Sequence, residues 1–267
     1  MADDVRVLLG KTDLKVSRLG ISTSFGASAK AYETAWERGC NYFTWGTFIK
    51  GRSKEFEKFI LSTINNSNRG DIIIAFFTYA HDRFLTEKFF IKGLKKLKLD
   101  YADVLLLGYF PKKPKQKIID GALELKRRGL IKHIGISSHN RKLFPKLLET
   151  DLFDIFHLRY NAANRGAEAD IFPFLNENRQ KRPGIIAFTA TRWRQLLNKK
   201  RMPPGEEPLS AVDCYRFVLA NPSVNICMMG ARDERQMAEN LTALDSAPLT
   251  ENELERINKI GRYVYEN

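Results

Sequence analysis

Short, near-continuous apolar runs alternate along this chain with longer segments whose apolar residues recur at helical spacing. Residues 6–21, RVLLGKTDLKVSRLGI, alternate apolar and polar positions around Lys11, Thr12 and Asp13, which predicts a β-hairpin leading into a strand near 18–23. Ala31, Ala35 and Trp36 share a helical face over 28–38, a strand follows at 40–44, and Phe56, Phe59, Ile60 and Ile64 mark a helix near 54–65. DIIIAFF at 71–77 reads as a buried strand, 86–97 as a helix with Phe89, Phe90, Leu94 and Leu97 on one face, and DVLLL at 103–107 as the next strand, closed by Gly108. A helix at 115–128 ends in Lys126, Arg127 and Arg128 followed by Gly129, the cations and left-handed residue that finish helices. Strands at 131–136, 153–159, 184–188 and 224–228 then alternate with helices at 141–149, 168–179, 210–220 and 233–243. A last helix at 250–264 opens on the capping-box sequence TENE at 250–253.

Strands this continuously apolar belong in a sheet covered on both faces. A doubly wound open sheet and a closed barrel both satisfy the alternation. An unbroken series of about eight strand–helix units, a chain of 267 residues and no linker-like composition favour the barrel. The expected fold is α/β, a (β/α)8 TIM barrel with an N-terminal β-hairpin, in a single domain over 1–267. In such a fold chemistry sits on loops after the C-terminal ends of the strands. One of these is the aromatic and basic stretch GCNYFTWGTFIKGR at 39–52. Another is the Pro-containing insert NKKRMPPGEEP at 198–208, expected on the active face.

Lys and Arg number 44 against 31 acids, a net charge of +13. The cations are dispersed, with no helix-turn-helix, zinc-finger or RNP-like motif beside them, so the balance points to solvated faces and an anionic small molecule rather than nucleic acid. Cys40, Cys214 and Cys227 form no CxxC pair, which fits a reducing compartment. No apolar run is long enough for a membrane span and MADDVRVLLG lacks a signal-peptide core, so a cytoplasmic location is expected. His81, His133, His139 and His157 make no metal-binding pair, and neither a GxGxxG after the first strand nor a Walker motif is present. GARDERQMAEN at 230–240 follows the last strand and opens a helix. Backbone N–H groups, the helix dipole and the Arg232 guanidinium would suit a phosphate there, although an ordinary basic helix start fits the same residues.

Beyond these patterns, the opening LLGKTDLKVSRLGI resembles the N-terminal hairpin and first strand of aldo-keto reductases. RRGLIKHIGISSHN at 127–140, DIFHLRYNAANR at 154–165, PGIIAFTATRW at 183–193 and FVLANPSVNICMMGARDERQMAEN at 217–240 resemble later segments of that family, in order. The resemblance implies a barrel that binds NADP(H) in extended form across its C-terminal mouth. The family's Ser-Asn pair for the nicotinamide carboxamide falls on Ser137 and Ser138, so Asn is replaced by Ser. Its strand-six Gln falls on His157. The aromatic that stacks on the nicotinamide is here Phe188, followed by Thr189. Gly230, Arg232, Gln236, Glu239 and Asn240 match the residues for the 2′-phosphate and adenine.

The catalytic positions depart from the family. Its Asp, Tyr, Lys and His deliver a proton to the carbonyl oxygen as hydride arrives. Aligning G-x-N-x-x-D-T-A-x-x-Y-G with GCNYFTWGTFIKG places Thr44 at the Asp and Ile49 at the Tyr, or Phe48 with a shift of one. The strand-three and strand-four motifs place Phe77 at the Lys and Gly108 at the His. None of these side chains can do the family's proton chemistry. One reading is an oxidoreductase that reduces a carbonyl of an anionic small molecule with a rebuilt acid/base set. Tyr79, His81, Tyr109, His139, His157, Arg159 and Arg192 are then the candidates at the mouth. Tyr79 or His157 would give the proton, and Arg159 or Arg192 would hold the anion. A second reading is a catalytically silent NADP(H)-binding sensor or interaction protein, with Trp45, Phe48 and Phe77 filling the old pocket. A third is a barrel that no longer binds nucleotide and meets acidic partners through its basic surface.

Overall fold

The computed structural model describes residues 6–46 and 54–267. A two-stranded antiparallel hairpin, β1 (Val7–Leu8) and β2 (Lys15–Val16), precedes a closed barrel of parallel strands. The barrel strands are β3 (Leu19–Ser22), β4 (Tyr42–Trp45), β5 (Ile73–Thr78), β6 (Ala102–Leu107), β7 (Ile131–Ser138), β8 (Ile155–Arg159), β9 (Gly184–Phe188) and β10 (Ile226–Met229), and β10 returns to pair with β3. Helices α1 (Ala29–Glu37), α2 (Lys54–Thr63), α3 (Arg83–Leu97), α4 (Gln116–Arg127), α5 (Leu143–Leu148), α6 (Ala167–Asp170), α7 (Ala211–Ala220), α8 (Glu234–Leu241) and α9 (Glu251–Glu266) complete the order.

Successive strand residues point to opposite faces, and the barrel sorts them into two cores. Inside lie Tyr42, Ile73, Ala75, Val104, Ile155, Ile186, Ile226 and Met228, closed below by Leu9, Leu14 and Val16 of the hairpin. Outside, between strands and helices, lie alternate residues such as Phe43, Ile74, Leu105 and Phe156, packed on helix residues such as Tyr32, Phe56, Phe59 and Phe144. Burying each such large side chain stabilises by roughly 1.5–3 kcal/mol. The hairpin docks on the barrel through Gly10, whose φ is +58° and where a Cβ would lie 2.2 Å from the Gly184 nitrogen.

Two expectations need correction or refinement. Residues 168–179 do not form one helix: α6 ends at Asp170 and a 3₁₀ turn follows at Phe172–Phe174. Pro173 has no N–H to bond back to Ala169, so the α-helix cannot run through it. The 198–208 insert is held to α9, with Glu206 bridging Arg256 at 3.2 Å and Lys259 at 2.9 Å, while the preceding segment from Thr189 to Leu197 supplies the cavity wall. Among the described residues no helix is long and apolar enough to cross a membrane.

Candidate active site

A cavity of about 510 Å³ opens at the C-terminal ends of the barrel strands. The inward-pointing last residues of several strands form its floor: Thr44 from β4, Phe77 from β5, Ser137 from β7 and Phe188 from β9, with His157 of β8 among them. Ser137 and His157 are register partners across β7 and β8, so the sheet itself sets them side by side.

On one side lie the positions matched to cofactor binding. Ser137, His157, Phe188, Thr189, Gly230, Arg232, Gln236 and Asn240 all line this cavity. The His157 ring is buried, and its Nε2 pairs with the Tyr42 hydroxyl at 3.1 Å. Burial pushes its pKa down to about 3, so the imidazole is neutral at physiological pH. Thr189 sits at φ +58°, an unusual conformation for a β-branched residue. Asn161, fully buried, stabilises it: its Nδ2 donates to the Thr189 carbonyl at 2.8 Å while its Oδ1 accepts from the Ala163 and Asn164 N–H groups. At the far end Asp233 caps α8 through the Gln236 N–H at 2.8 Å, and the Gln236 side chain accepts the Arg232 N–H at 2.9 Å. The Arg232 side chain is exposed and lines the cavity.

Two matched positions stand elsewhere. Ser138 points outward: its Oγ donates to the Phe110 carbonyl at 2.6 Å and accepts from the Asn140 N–H at 3.0 Å. Glu239 is exposed and faces Arg235 at 3.6 Å.

The other side of the cavity is aromatic. Phe77 lies at its floor, and Tyr79 and Tyr109 stack above it with centroids 5.0 Å apart and planes at 13°. His139 continues the column over Tyr109 at 4.9 Å and meets Phe188 edge-on at 5.5 Å. Gly108 is sterically tied to Phe77, because a Cβ at 108 would lie 2.5 Å from the Phe77 ring. Of the family's catalytic positions, Thr44 and Phe77 line the cavity, Gly108 lies against Phe77, and Ile49, like Phe48, lies outside the described residues.

The sequence-derived proton donors are brought to the cavity, but their surroundings oppose the task. Burial, reinforced by Tyr109, pushes the Tyr79 phenol above its ordinary pKa, which makes it a weaker acid. Burial and the Arg159 charge push His139 down. His81 is used locally, pairing with the Gly108 carbonyl at 3.1 Å and stacking on Phe110. His133 lies at the barrel's other end, bonded to Asp13 of the hairpin turn at 2.9 Å. Arg159 does not line the cavity, and its guanidinium lies 6.0 Å from the Trp193 ring centre. Arg192 is drawn away to the Val264 carbonyl and the Tyr265 ring. In place of Arg159 and Arg192, Arg194 joins Arg232 in lining the cavity, beside Trp193. Arg192, Trp193 and Arg194 have φ of 48°, 50° and 69°, and no residue in that run is a glycine that would have signalled the turn. Sequence reasoning also missed Phe25, which lies across Gly230, where a Cβ would stand 2.2 Å from its ring. Among the described residues no cluster of His, Cys, Asp or Glu could hold a metal ion.

A family model described as Aldo/keto reductase family matches residues 16–207. The chain is 25% identical to "Uncharacterized oxidoreductase YqkF" of Bacillus subtilis strain 168, across 93% of this chain and 94% of that protein. The fold is similar to aldo-keto reductase AKR11C1 from Bacillus halodurans in its holo form, with a TM-score of 0.79 and 21% identity over 96% of this chain and 95% of that one. Its apo form gives a TM-score of 0.75 and 23% identity over the same shares. At these identities the structural likeness is one of fold.

Proposed function

Because the chain belongs to the aldo/keto reductase family, we propose that it is an NADP(H)-binding oxidoreductase whose carbonyl-reducing site has been remodelled. The observation that supports this most is the continuity of the cavity. It joins Ser137, His157 and Phe188 at the barrel centre to Gly230, Arg232, Gln236 and Asn240 at its rim, as an extended dinucleotide requires. The donor set fits such a group. Phe188 offers a ring face to the nicotinamide. Ser137 and neutral His157 offer hydrogen bonds to its carboxamide, and Tyr42 fixes how the imidazole is turned. Arg232, next to the N-terminal end of α8, would hold the 2′-phosphate. When bound, the nicotinamide supplies hydride. The protein's own part is to orient it over the barrel, and Arg194 at the rim gives an anionic substrate a partner.

A second reading, a catalytically silent NADP(H) sensor, is favoured by the missing acid: Thr44, Phe77 and Gly108 carry none, and Tyr79 is a weakened one. Titrating the protein with NADPH and following fluorescence separates these readings from a barrel without cofactor. Saturable binding is expected, and none below millimolar would remove both. With binding in hand, a carbonyl panel that leaves NADPH oxidation at background would favour the sensor.

A further inference from the structure

At the N-terminal end of the barrel, opposite the cavity, two arginines are drawn into the fold without a counter-charge. Arg18 stands just before β3 and Arg182 just before β9. Both reach the turn that leads from α7 into β10. The Arg18 Nη2 donates to the Leu219 and Val224 carbonyls at 2.8 and 3.0 Å, and the Arg182 Nη2 donates to the Ser223 carbonyl at 3.4 Å. Arg182 is only 7% exposed, and the Nε of each arginine is buried with no partner. Arg179, on the exposed 3₁₀ turn just before Arg182, adds a third cation. Burial first, and then the Arg179 charge, push both guanidiniums below their ordinary pKa. Among the described residues none of the three meets a carboxylate, and Glu177, beside Arg179 in sequence, bridges none of them.

A buried arginine is treated differently elsewhere at the same end. Arg69 has the Asp103 carboxylate at 3.0 Å, beside the Ile72 and Tyr101 carbonyls. A guanidinium stays charged at physiological pH, and burying it unpaired is costly. The Leu219 carbonyl belongs to the last turn of α7, whose dipole offsets about half a charge at Arg18. Most of the three charges is left uncompensated. Donors remain to receive a ligand. The Nη1 groups of Arg18 and Arg182 make no hydrogen bond to a described residue, and neither does the half-buried Ser223 hydroxyl on the turn that both arginines reach.

We propose that Arg18, Arg179 and Arg182 form a binding site for a small tetrahedral dianion of the phosphate class. Such an anion presents paired oxygens to the guanidinium fork and an acceptor to the Ser223 hydroxyl. Its charge offsets what the barrel leaves unpaired. It ties β3, β9 and the α7–β10 turn together where β10 pairs with both strands and closes the barrel. Chemistry in (β/α)8 barrels sits at the opposite end and this end serves stability, so the anion is a clamp on the fold and not a substrate. The site is independent of the NADP(H) reading.

The test titrates the full chain with inorganic phosphate by calorimetry, at an ionic strength held constant with sodium chloride. Binding should be saturable, and acetate, which brings one charge, should bind about tenfold more weakly. Arg182→Gln should weaken phosphate about tenfold. Arg179→Gln, which alters an exposed side chain and spares the buried ones, should weaken it about fivefold. Lys181→Gln, the exposed cation between them, should change it by less than about twofold. Arg232→Ala, which removes the guanidinium proposed for a phosphate at the other end of the barrel, should leave it unchanged. Asp3 and Asp4 lie outside the described residues, and changing both to Asn should also leave it unchanged. Binding that does not saturate, or acetate as tight as phosphate, overturns the proposal. So does a loss in Lys181→Gln or Arg232→Ala as large as in Arg179→Gln. A gain in the Asp3→Asn, Asp4→Asn variant overturns it too, because the chain's own carboxylates would then be the occupants.

Discussion

On the β8–β10 side of the barrel mouth, Phe188 and His157 line the cavity, and in the proposed reading each offers a group to a dinucleotide. On the β4–β6 side, Thr44, Phe77 and Gly108 carry no ionisable side chain. The contrast reflects how differently the two tasks tolerate change. Holding a dinucleotide draws on ring faces, backbone N–H groups and a guanidinium, and several side chains can supply each. Moving a proton needs an ionisable group with a tuned pKa at hydrogen-bond distance, and no aromatic or glycine replaces it. The losses are also linked. The Phe77 ring occupies the space where a side chain at 108 would begin, so a side chain at 108 does not fit while Phe77 is present.

That linkage gives the largest expected effect. Gly108→His should destabilise the fold by about 3 kcal/mol through overpacking against Phe77, a fall of roughly 10 °C in thermal unfolding for a chain of this size. In a Phe77→Ala background most of that loss should vanish. An equal loss in both backgrounds would show that the two positions are independent.

Next in size is an acid effect on the cofactor side. His157 has a folded-state pKa near 3 against an ordinary value of 6.5, so between those values the unfolded chain binds the extra proton. Stability contributed by the neutral His is therefore complete above about pH 6.5 and declines as pH falls through that window. By about pH 5 the loss should be roughly 2 kcal/mol. His157→Gln, which keeps a hydrogen-bonding group beside Tyr42, should flatten this part of a urea-unfolding pH profile. An unchanged profile would show that His157 is not the buried titrating group.

The smallest of the three effects concerns the rim. Arg232→Ala should weaken NADPH by about 1.5 kcal/mol, roughly tenfold, through loss of a charge-assisted contact. NADH should change by no more than about twofold. Equal weakening of both would remove the 2′-phosphate from Arg232.

The barrel was legible because its strands are continuous apolar runs and its helices repeat their apolar residues. That Ser137, His157 and Phe188 point into one cavity follows from strand parity. The same parity turns Ser138 outward, a geometric veto on reading a Ser-Ser pair as two ligands. The rest was hidden for local reasons. Three successive left-handed residues exchange Arg192 for Arg194 at the cavity, and nothing in TRWR announces them. Asn161 stabilises Thr189 from 28 residues away in sequence, a contact that no local pattern carries. A helix pattern over 168–179 gave way to one proline.

The most direct measurement is an experimental structure of the chain with NADPH bound. The nicotinamide should lie on the Phe188 ring, the carboxamide at Ser137 and His157, and the 2′-phosphate at Arg232. No side-chain carboxyl, lysine or acidified phenol should stand within about 3.2 Å of a carbonyl oxygen placed beside nicotinamide C4. A lysine–tyrosine pair standing at that oxygen, or a nicotinamide lying away from Phe188, would contradict this arrangement.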